Sequence, residues 1–316
     1  MSKLDKLYIP ELDVWTARVG FGGCPMGLHD WGITNENDLI EAVHSALDSE
    51  ISFFDTADIY GLGESERILG KALKGRRNRA LIATKFGVRR SENLTFYDNS
   101  PKWIDKAIEN SLLRLGTDYI DFYQLHYWDE HTPIFDIIEK LQELKRVGKI
   151  RAFGVTNINL LNHGYDYQIE GLASFSFEYS LANRMYEPII IDTIKKLSTV
   201  FLSWGSLGQG VLSGKFDNNT QFLQNDRRRK SEYVNFHGEK LISNLKIVNY
   251  LGSILHNYDN KTISQLAIRW ILDEIDQSIA LIGMKNSNQV ELNRGALDFK
   301  IFEQHLEELC KLSTDK

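Results

Sequence analysis

The chain has 316 residues, with 42% hydrophobic and 25% charged side chains, a balance typical of soluble globular proteins. Its net charge of −6 gives no electrostatic reason to expect binding to nucleic acid or to an anionic membrane. Two cysteines are too few for a disulfide framework or a cysteine-based metal site, and neither a signal peptide nor a membrane-spanning apolar run is evident, so we expect a cytoplasmic protein.

The first predicted elements form a β-hairpin at the N terminus, from two short strands within residues 7–22. Residues 18–22 are also the first candidate strand of a larger sheet. A loop over residues 23–31 follows, and then a helix for which Thr34 is the predicted N-cap.

Residues 51–69 form the most informative stretch of the chain. A short apolar run at 51–54 predicts a buried strand, and Asp55 follows it directly. Tyr60 lies in a glycine-containing turn, and Ser65 is the predicted N-cap of the next helix. A strand therefore ends at two polar side chains before a helix begins, which is how sites are built in parallel α/β folds.

Strands and helices alternate through the rest of the chain. The further predicted strands are 80–84, 119–125, 150–155, 172–177, 199–204 and 278–282. The further predicted helices are 101–115, 133–147, a short one from 159, 188–197, 238–256, 263–273 and two amphipathic helices that close the chain. Counted from Val19, eight strand candidates without a linker predict one (β/α)8 TIM barrel domain over residues 1–316. The long irregular segment at about 205–235 is predicted to be a functional or mobile loop.

Three polar residues directly follow predicted strands: Asp55, Lys85 and His126, with Tyr60 in the loop after Asp55. Because the carboxyl ends of barrel strands meet on one face, we expect these side chains to share a site. Each of them alone has a structural interpretation, as a turn cap, a solvated lysine, a packed histidine or a turn aromatic. Together they predict a proton donor, in which a lysine cation lowers the pKa of the phenol, a carboxylate holds the lysine, and a neutral imidazole binds the substrate oxygen.

Four segments of the chain resemble the aldo-keto reductase superfamily and occur in the family's order: FDTADIYGLGESERILGKAL, LIATKFG, LLRLGTDYIDFYQLH and GKIRAFGVTN. The resemblance extends from about residue 19 to residue 297 and is nearest to the bacterial and potassium-channel-β-subunit-like branch. It implies a TIM barrel and reversible NAD(P)H-dependent reduction of an aldehyde or ketone to an alcohol. The family's catalytic tetrad falls on Asp55, Tyr60, Lys85 and His126, with Tyr60 as the acid.

The resemblance also implies a set of cofactor contacts. Thr156 and Asn157 occupy the positions of the family's pair that binds the nicotinamide carboxamide. Ser176 occupies the position where the family usually has a glutamine for the same group, and Trp204 that of the tyrosine that stacks on nicotinamide. The run from Ser206 to Lys215 offers backbone amides to a pyrophosphate, which makes the segment at about 205–235 the long cofactor loop of the domain. The candidate cofactor residues are Thr156, Asn157, Ser176, Trp204, Ser206, Leu207, Gln209, Val211, Lys215, Gly283, Lys285, Gln289 and Asn293.

The residues that would bind the adenosine end of the cofactor decide whether the protein prefers NADP(H) or NAD(H). Gln289 falls where the family commonly has a basic residue for the 2′-phosphate, but Lys285 and Arg294 are near it in sequence. The sequence therefore favours NADP(H) and leaves NAD(H) as the alternative. The basic run 227–230 is either a solvated stretch or closes over the cofactor phosphates. The predicted substrate pocket is aromatic and consists of Trp31, Phe86, Tyr127, Trp128 and Trp204.

Two alternatives to a reductase stay open at this stage. One is a nucleotide-sensing regulatory subunit on the same barrel. The other is a metal-dependent barrel hydrolase that uses Asp55 and His126, for which the sequence offers no His-x-His pair or dense ligand cluster. We expect a small carbonyl or alcohol substrate and no metal, nucleic acid or membrane partner, and the sequence leaves the oligomeric state open.

Overall fold

The computed structural model describes residues 4–28, 31–32, 34–92, 94–224 and 226–314, so residues 29 and 30 of the predicted loop 23–31 lie outside the description. The strands of the described residues are β1 (Lys6–Ile9), β2 (Val14–Ala17), β3 (Val19–Gly22), β4 (Phe53–Asp55), β5 (Leu81–Phe86), β6 (Val88–Ser91), β7 (Leu94–Tyr97), β8 (Ile120–Leu125), β9 (Ile150–Thr156), β10 (Leu172–Glu178), β11 (Val200–Trp204) and β12 (Ser278–Gly283). The α-helices are α1 (Glu36–Asp48), α2 (Glu64–Ala72), α3 (Pro101–Leu115), α4 (Ile134–Arg146), α5 (Glu187–Leu197), α6 (Gly238–Ile254), α7 (Ile263–Glu274), α8 (Ser287–Arg294) and α9 (Glu303–Leu312).

A closed barrel of eight parallel strands is the central element of the fold. Going round the barrel, the strands follow the order β3, β4, β5, β8, β9, β10, β11 and β12. The pairing of β12 with β3, with Ala280 opposite Val19, closes the ring. The prediction of a (β/α)8 TIM barrel is therefore confirmed. Among the described helices, none is long and apolar enough to cross a membrane.

The interior of the barrel has its own apolar core, separate from the larger one between the strands and the helices. The β1–β2 hairpin contributes Leu7 and Ile9 to this interior core, together with Leu12 from the turn between the two strands. Inward-facing residues of the barrel strands, such as Phe53 and Phe122, supply most of the rest. Successive side chains of a strand point to opposite faces, so a residue two positions after an inward-facing one also points into the barrel. The same alternation therefore decides which side chains line the interior above this core, at the carboxyl ends of the strands.

Helix α3 shows how closely local signals determine an element. Its bounds, Pro101–Leu115, are those that the sequence predicts. The Ser100 hydroxyl accepts the backbone N–H of Trp103, Pro101 occupies the first turn, and Gly116 adopts a left-handed conformation with φ of 63° just past the end.

Two predicted helix caps are wrong. Helix α1 begins after Asn35, whose side chain accepts a backbone N–H, and not after Thr34. Helix α2 begins after Gly63, and Ser65 lies inside it. The Ser65 hydroxyl is buried and donates to the Gly23 carbonyl at 2.8 Å, so it fixes a loop at the barrel mouth instead of capping the helix.

The antiparallel β6–β7 hairpin between β5 and α3 is absent from the sequence prediction. Its apolar residues Leu94, Phe96 and Tyr97 are 73%, 39% and 46% exposed. Strand β7 therefore lacks the buried face that gives a strand its alternating pattern, and this explains why periodicity does not reveal it.

Candidate active site

The four predicted catalytic residues converge at the carboxyl-terminal mouth of the barrel. Asp55 and Lys85 each lie two residues after an inward-facing apolar residue, Phe53 and Ala83 respectively, and His126 directly follows β8. Alternation along the strands therefore turns their side chains to the same interior, above its apolar core. The interior of the barrel is therefore polar at its carboxyl-terminal mouth and apolar further in.

A buried ion pair occupies the centre of this mouth. The Lys85 ammonium donates to both carboxylate oxygens of Asp55, at 2.6 and 2.7 Å, and to the Thr56 carbonyl at 2.9 Å. Burial raises the pKa of Asp55, while the Lys85 cation acts in the opposite direction. Both side chains are almost fully buried, so each charge depends on the other for its compensation.

Gln124 is a site residue that the sequence analysis missed. Its side-chain amide donates to the Asp55 carboxylate at 3.2 Å, and it is fully buried. It lies two residues before His126 on β8, so alternation along that strand is the signal that could have placed it at the mouth.

Tyr60 is held by a turn that requires glycine. The residue after it, Gly61, has a φ of 59°, and a Cβ atom there would lie 2.5 Å from the Gly27 carbonyl oxygen. A side chain at this position would therefore displace the backbone that positions Tyr60. The Lys85 ammonium lies 5.3 Å from the centre of the Tyr60 ring, and the His126 ring meets it edge-on at 5.9 Å.

The pKa of Tyr60 departs from the sequence prediction. Burial raises it well above its usual value, and Cys24 and Asp55 act in the same direction. The sequence predicts that Lys85 lowers the pKa of Tyr60, but the net shift of this pKa is upward, so the prediction is wrong for the net direction. The ammonium is paired with Asp55, so little net positive charge acts on the phenol, and the cost of burying a phenolate dominates.

The surroundings of His126 favour the neutral imidazole. Burial lowers its pKa well below its usual value, and the nearby Lys85 cation adds to the effect. A neutral imidazole can bind a substrate oxygen without competing for its proton.

Asp58, in the loop between Asp55 and Tyr60, gives a prediction about stability. One of its carboxylate oxygens is buried and has no hydrogen-bond partner among the residues that the structure describes. Burial, with Glu66 nearby, raises the pKa of Asp58 from the usual 3.8 to about 8. Between these values the folded protein keeps a proton that the unfolded chain releases, so this contribution to stability is complete below the lower value and is lost as the pH rises to the higher one.

The Asp58→Asn variant should therefore have a higher midpoint of thermal unfolding than the wild type above about pH 8 and a similar one below about pH 3.8, where the carboxyl is protonated in both the folded and the unfolded chain. Thermal unfolding over a pH series, followed by circular dichroism, measures both effects. An equal change in the midpoint at both pH values would show that Asp58 does not titrate in this way.

The predicted nicotinamide contacts come together on β9, β10 and β11. Thr156 and Ser176 are opposite each other in register, and among the described residues neither buried hydroxyl has a hydrogen-bond partner. The Asn157 side-chain oxygen accepts the Trp204 indole N–H at 3.1 Å, which fixes that ring at the mouth. Buried hydroxyls without partners next to an amide suit a ligand that carries a carboxamide.

The side chains at the start of the following loop are engaged within the protein. The Ser206 hydroxyl bonds to backbone carbonyls of β11 and β12, and Gln209 donates to Glu178 at 2.8 Å. Val211 is fully buried, and Leu207 packs against the core. Any contact of these four residues with a pyrophosphate would therefore come from their backbone, as predicted for this run.

A groove of about 390 Å³ lies where this loop meets the N-termini of α7 and α8. It is lined by Ser213, Lys215, Thr262, Ser264, Asn286, Asn288, Gln289 and Leu292. Thr262 and Asn286 are the N-caps of the two helices. The positive ends of two helices and the Lys215 cation make this groove suitable for an anion.

Lys285 and Arg294 lie outside this groove. The Lys285 ammonium donates to the Trp31 carbonyl, and Arg294 donates to the Ser49 carbonyl at 3.2 Å. The prediction that Lys285 or Arg294 binds a 2′-phosphate is untested. Lys215, which lines the groove, is the alternative that its position favours. Of the other candidates, Gly283 is exposed at the end of β12, and Asn293 is buried on α8.

The basic run within the long loop covers Trp31. The Arg227 guanidinium lies 4.9 Å from the centre of the Trp31 ring, and Tyr233 meets that ring edge-on at 6.2 Å. Arg228 makes a two-pronged ion pair with Asp226, at 2.6 and 2.9 Å. These arginines are therefore not a simple solvated stretch, because they pack against aromatic rings and a carboxylate at the site.

The predicted aromatic pocket needs one correction. Phe86 is fully buried and stacks on Tyr123 at 4.7 Å, in the layer between the barrel and the helices. It follows Lys85 on β5, so it faces away from the mouth. Tyr127 and Trp128 are half-buried in the loop after His126.

The described residues offer no set of metal ligands that would support the metal-dependent hydrolase alternative. Among the described residues, no three His, Cys, Asp or Glu side chains are grouped so as to hold a metal ion. Both oxygens of Asp55 are directed at the Lys85 ammonium, which occupies the place that a cation would take.

Comparison with known proteins identifies the class and the family. The chain is 35% identical over 285 residues to aldo-keto reductase YhdN of Bacillus subtilis, covering 90% of this chain and 86% of the relative. It is 30% identical over 299 residues to aldo-keto reductase yakc of Schizosaccharomyces pombe, whose name specifies NADP(+), covering 92% and 86%. The solved glycerol dehydrogenase AKR11B4 of Gluconobacter oxydans matches with a TM-score of 0.88 and 31% identity, over 98% of this chain and 94% of that one.

The fold, the site and these relatives define the protein as a TIM-barrel oxidoreductase. The model of the Aldo/keto reductase family matches residues 18–313. The chain belongs to the aldo/keto reductase family.

Proposed function

We propose that this protein is an NADP(H)-dependent reductase that converts an aldehyde or ketone reversibly into an alcohol. The observation that carries the proposal is the buried Asp55–Lys85 pair with the Tyr60 and His126 rings beside it. The name of the yeast relative, which specifies NADP(+), supports the choice of cofactor.

Bound NADPH supplies a hydride to the carbonyl carbon. The groups available to hold its nicotinamide are the buried hydroxyls of Thr156 and Ser176 and the amide of Asn157, with the Trp204 ring beside them. Pyrophosphate would bind the backbone of the loop that follows β11, and the adenosine phosphate would bind in the groove at the starts of α7 and α8.

Tyr60 donates the proton that the developing alkoxide requires. The neutral imidazole of His126 binds the same oxygen and holds it near the phenol. Lys85 keeps Asp55 compensated and places a cation under the Tyr60 ring. Burial raises the pKa of Tyr60, so the phenol carries its proton in the neutral range, and the Lys85 cation under the ring would stabilise the phenolate that forms when the proton leaves.

The proposal is tested by following NADPH oxidation with a panel of aldehydes and ketones, and NADP+ reduction with a panel of alcohols. Glycerol belongs in the alcohol panel, because the similar solved structure is a glycerol dehydrogenase. Turnover of at least one carbonyl compound supports the proposal, and cofactor binding without any turnover contradicts it.

The groove predicts which lysine distinguishes the two cofactors. The Lys215→Ala variant should bind NADPH more weakly by roughly 1–2 kcal/mol, since a charge-assisted hydrogen bond in an open groove is worth less than a buried one. NADH binding should change little, because NADH has no 2′-phosphate. Quenching of tryptophan fluorescence, which Trp204 should report, measures both dissociation constants.

Lys285→Ala is the matched comparison, because the Lys285 ammonium bonds to the Trp31 carbonyl. We expect it to affect both cofactors to the same extent. A selective loss of NADPH affinity in Lys285→Ala, with none in Lys215→Ala, would assign the 2′-phosphate to Lys285 instead.

A further inference from the structure

His126 lacks the hydrogen bond that usually orients an active-site histidine. The second ring nitrogen commonly donates to a carbonyl or carboxylate, which fixes the ring. Here Nδ1 is buried, and within the described part of the chain it has no hydrogen-bond partner. The orientation of the ring must therefore come from packing.

Two aromatic rings supply this packing. Tyr60 meets His126 edge-on, and Tyr127 lies nearly parallel to it, with ring centres 5.0 Å apart and planes 21° apart. The Tyr97 ring, at the end of β7, in turn lies nearly parallel to Tyr127, at 5.4 Å and 25°. Tyr97, Tyr127 and His126 thus form one continuous stack that runs from the β6–β7 hairpin to the site.

The backbone of the His126 loop is tied to the same hairpin. Asn99, just past the end of β7, is fully buried and donates through its side chain to the Tyr127 carbonyl at 3.2 Å. It also exchanges two hydrogen bonds with Asp129, at 2.6 and 2.8 Å. The hairpin therefore contacts this loop through both its backbone and its rings.

Helix α3 in turn holds the hairpin in place. Arg89 on β6 pairs with Asp98 at 2.6 Å, and its guanidinium lies 3.9 Å from the centre of the Trp103 ring on α3. This anchoring makes the hairpin a support of fixed position. Tyr97 is 46% exposed, so removing its ring should change the stack without opening a cavity in the core.

We propose that the β6–β7 hairpin orients His126 through this stack, and that Tyr97 and Tyr127 are positioning residues for it. The proposal rests on the proposed function, because it concerns the histidine that would hold the substrate oxygen. Loss of the outer ring leaves Tyr127 free to tilt, and His126 then loses the contact that sets its angle.

The test compares Tyr97→Leu with Tyr97→Phe, and uses Leu94→Ala on the same strand as the control. Tyr97→Leu should lower kcat by about 3- to 10-fold, the effect of losing one aromatic pair, and should leave the KM for NADPH unchanged. Tyr97→Phe keeps the ring and should stay within about twofold of the wild type. Leu94 is 73% exposed and lies outside the stack, so its variant should behave like the wild type.

A spectroscopic measurement reads the orientation of His126 directly. In a protein with isotope-labelled histidine, the His126 ring protons should be shifted by the ring current of Tyr127 and move toward ordinary values in Tyr97→Leu. The chain has eight histidines, and the spectrum of His126→Gln identifies the signals of His126.

The outcomes separate this proposal from the proposed function. If Tyr97→Leu keeps both the wild-type kcat and the wild-type His126 signals while His126→Gln is inactive, only the stack proposal fails. If Tyr97→Phe loses as much activity as Tyr97→Leu, the hydroxyl acts instead of the ring and the stack proposal is again overturned. If His126→Gln is fully active, the role of His126 in the proposed function fails.

Discussion

The Tyr60→Phe variant is expected to lose carbonyl reduction by a factor on the order of 10²–10⁴, the usual contribution of a positioned acid. The substitution removes the hydroxyl and keeps the ring that packs against His126 and over Lys85. Cofactor binding should therefore stay near that of the wild type. Steady-state rates with a turned-over carbonyl compound, together with the dissociation constant for NADPH, measure both quantities.

Tyr8→Phe provides a matched control for this experiment. Tyr8 lies on the N-terminal hairpin, away from the mouth, and its hydroxyl donates to Asp13 at 2.7 Å. The control loses one tyrosine hydroxyl and should keep its activity. Near-normal turnover in Tyr60→Phe would mean that another group supplies the proton.

The Lys85→Met variant should lose activity by a factor on the order of 10² or more. It leaves Asp55 as a buried carboxylate without its partner, and Asp55 acts to raise the pKa of Tyr60 further. The same unpaired charge should destabilise the fold by about 3–5 kcal/mol. Rates and chemical denaturation of the variant test the two effects.

A double variant separates activity from stability at this pair. Asp55→Asn with Lys85→Met removes both charges, so it should recover much of the lost stability. Its activity should stay low, because no cation lies under the Tyr60 ring. If the single Lys85→Met variant were stable and active, the ion pair would have no part in the reaction.

Alternation along the strands explains what the sequence predicts well. Asp55 and Lys85 lie at strand ends, two residues after inward-facing apolar residues, so parallel topology brings them together whatever the details of packing. The bounds of α3 follow in the same way from local caps at Ser100 and Gly116.

Features that depend on contacts between distant segments could not be predicted. Ser65 has the local pattern of a cap, but its hydroxyl bonds to Gly23, far away in sequence. Phe86 looked like a pocket residue because it follows Lys85, although its face of β5 packs under the helices. The pKa of Tyr60 depends on how completely the phenol is buried and on the pairing of Lys85 with Asp55, which no residue spacing reveals.

Transfer of an isotope label tests the central claim most directly. NADPH deuterated at nicotinamide C4 is incubated with the protein and a panel of aldehydes and ketones that includes hydroxylated compounds, and the alcohols formed are examined by mass spectrometry. The proposed function predicts that at least one alcohol carries a single deuterium on the former carbonyl carbon. NADPH that binds the protein but transfers no deuterium to any compound would contradict it, and would favour a nucleotide-sensing subunit on the same barrel.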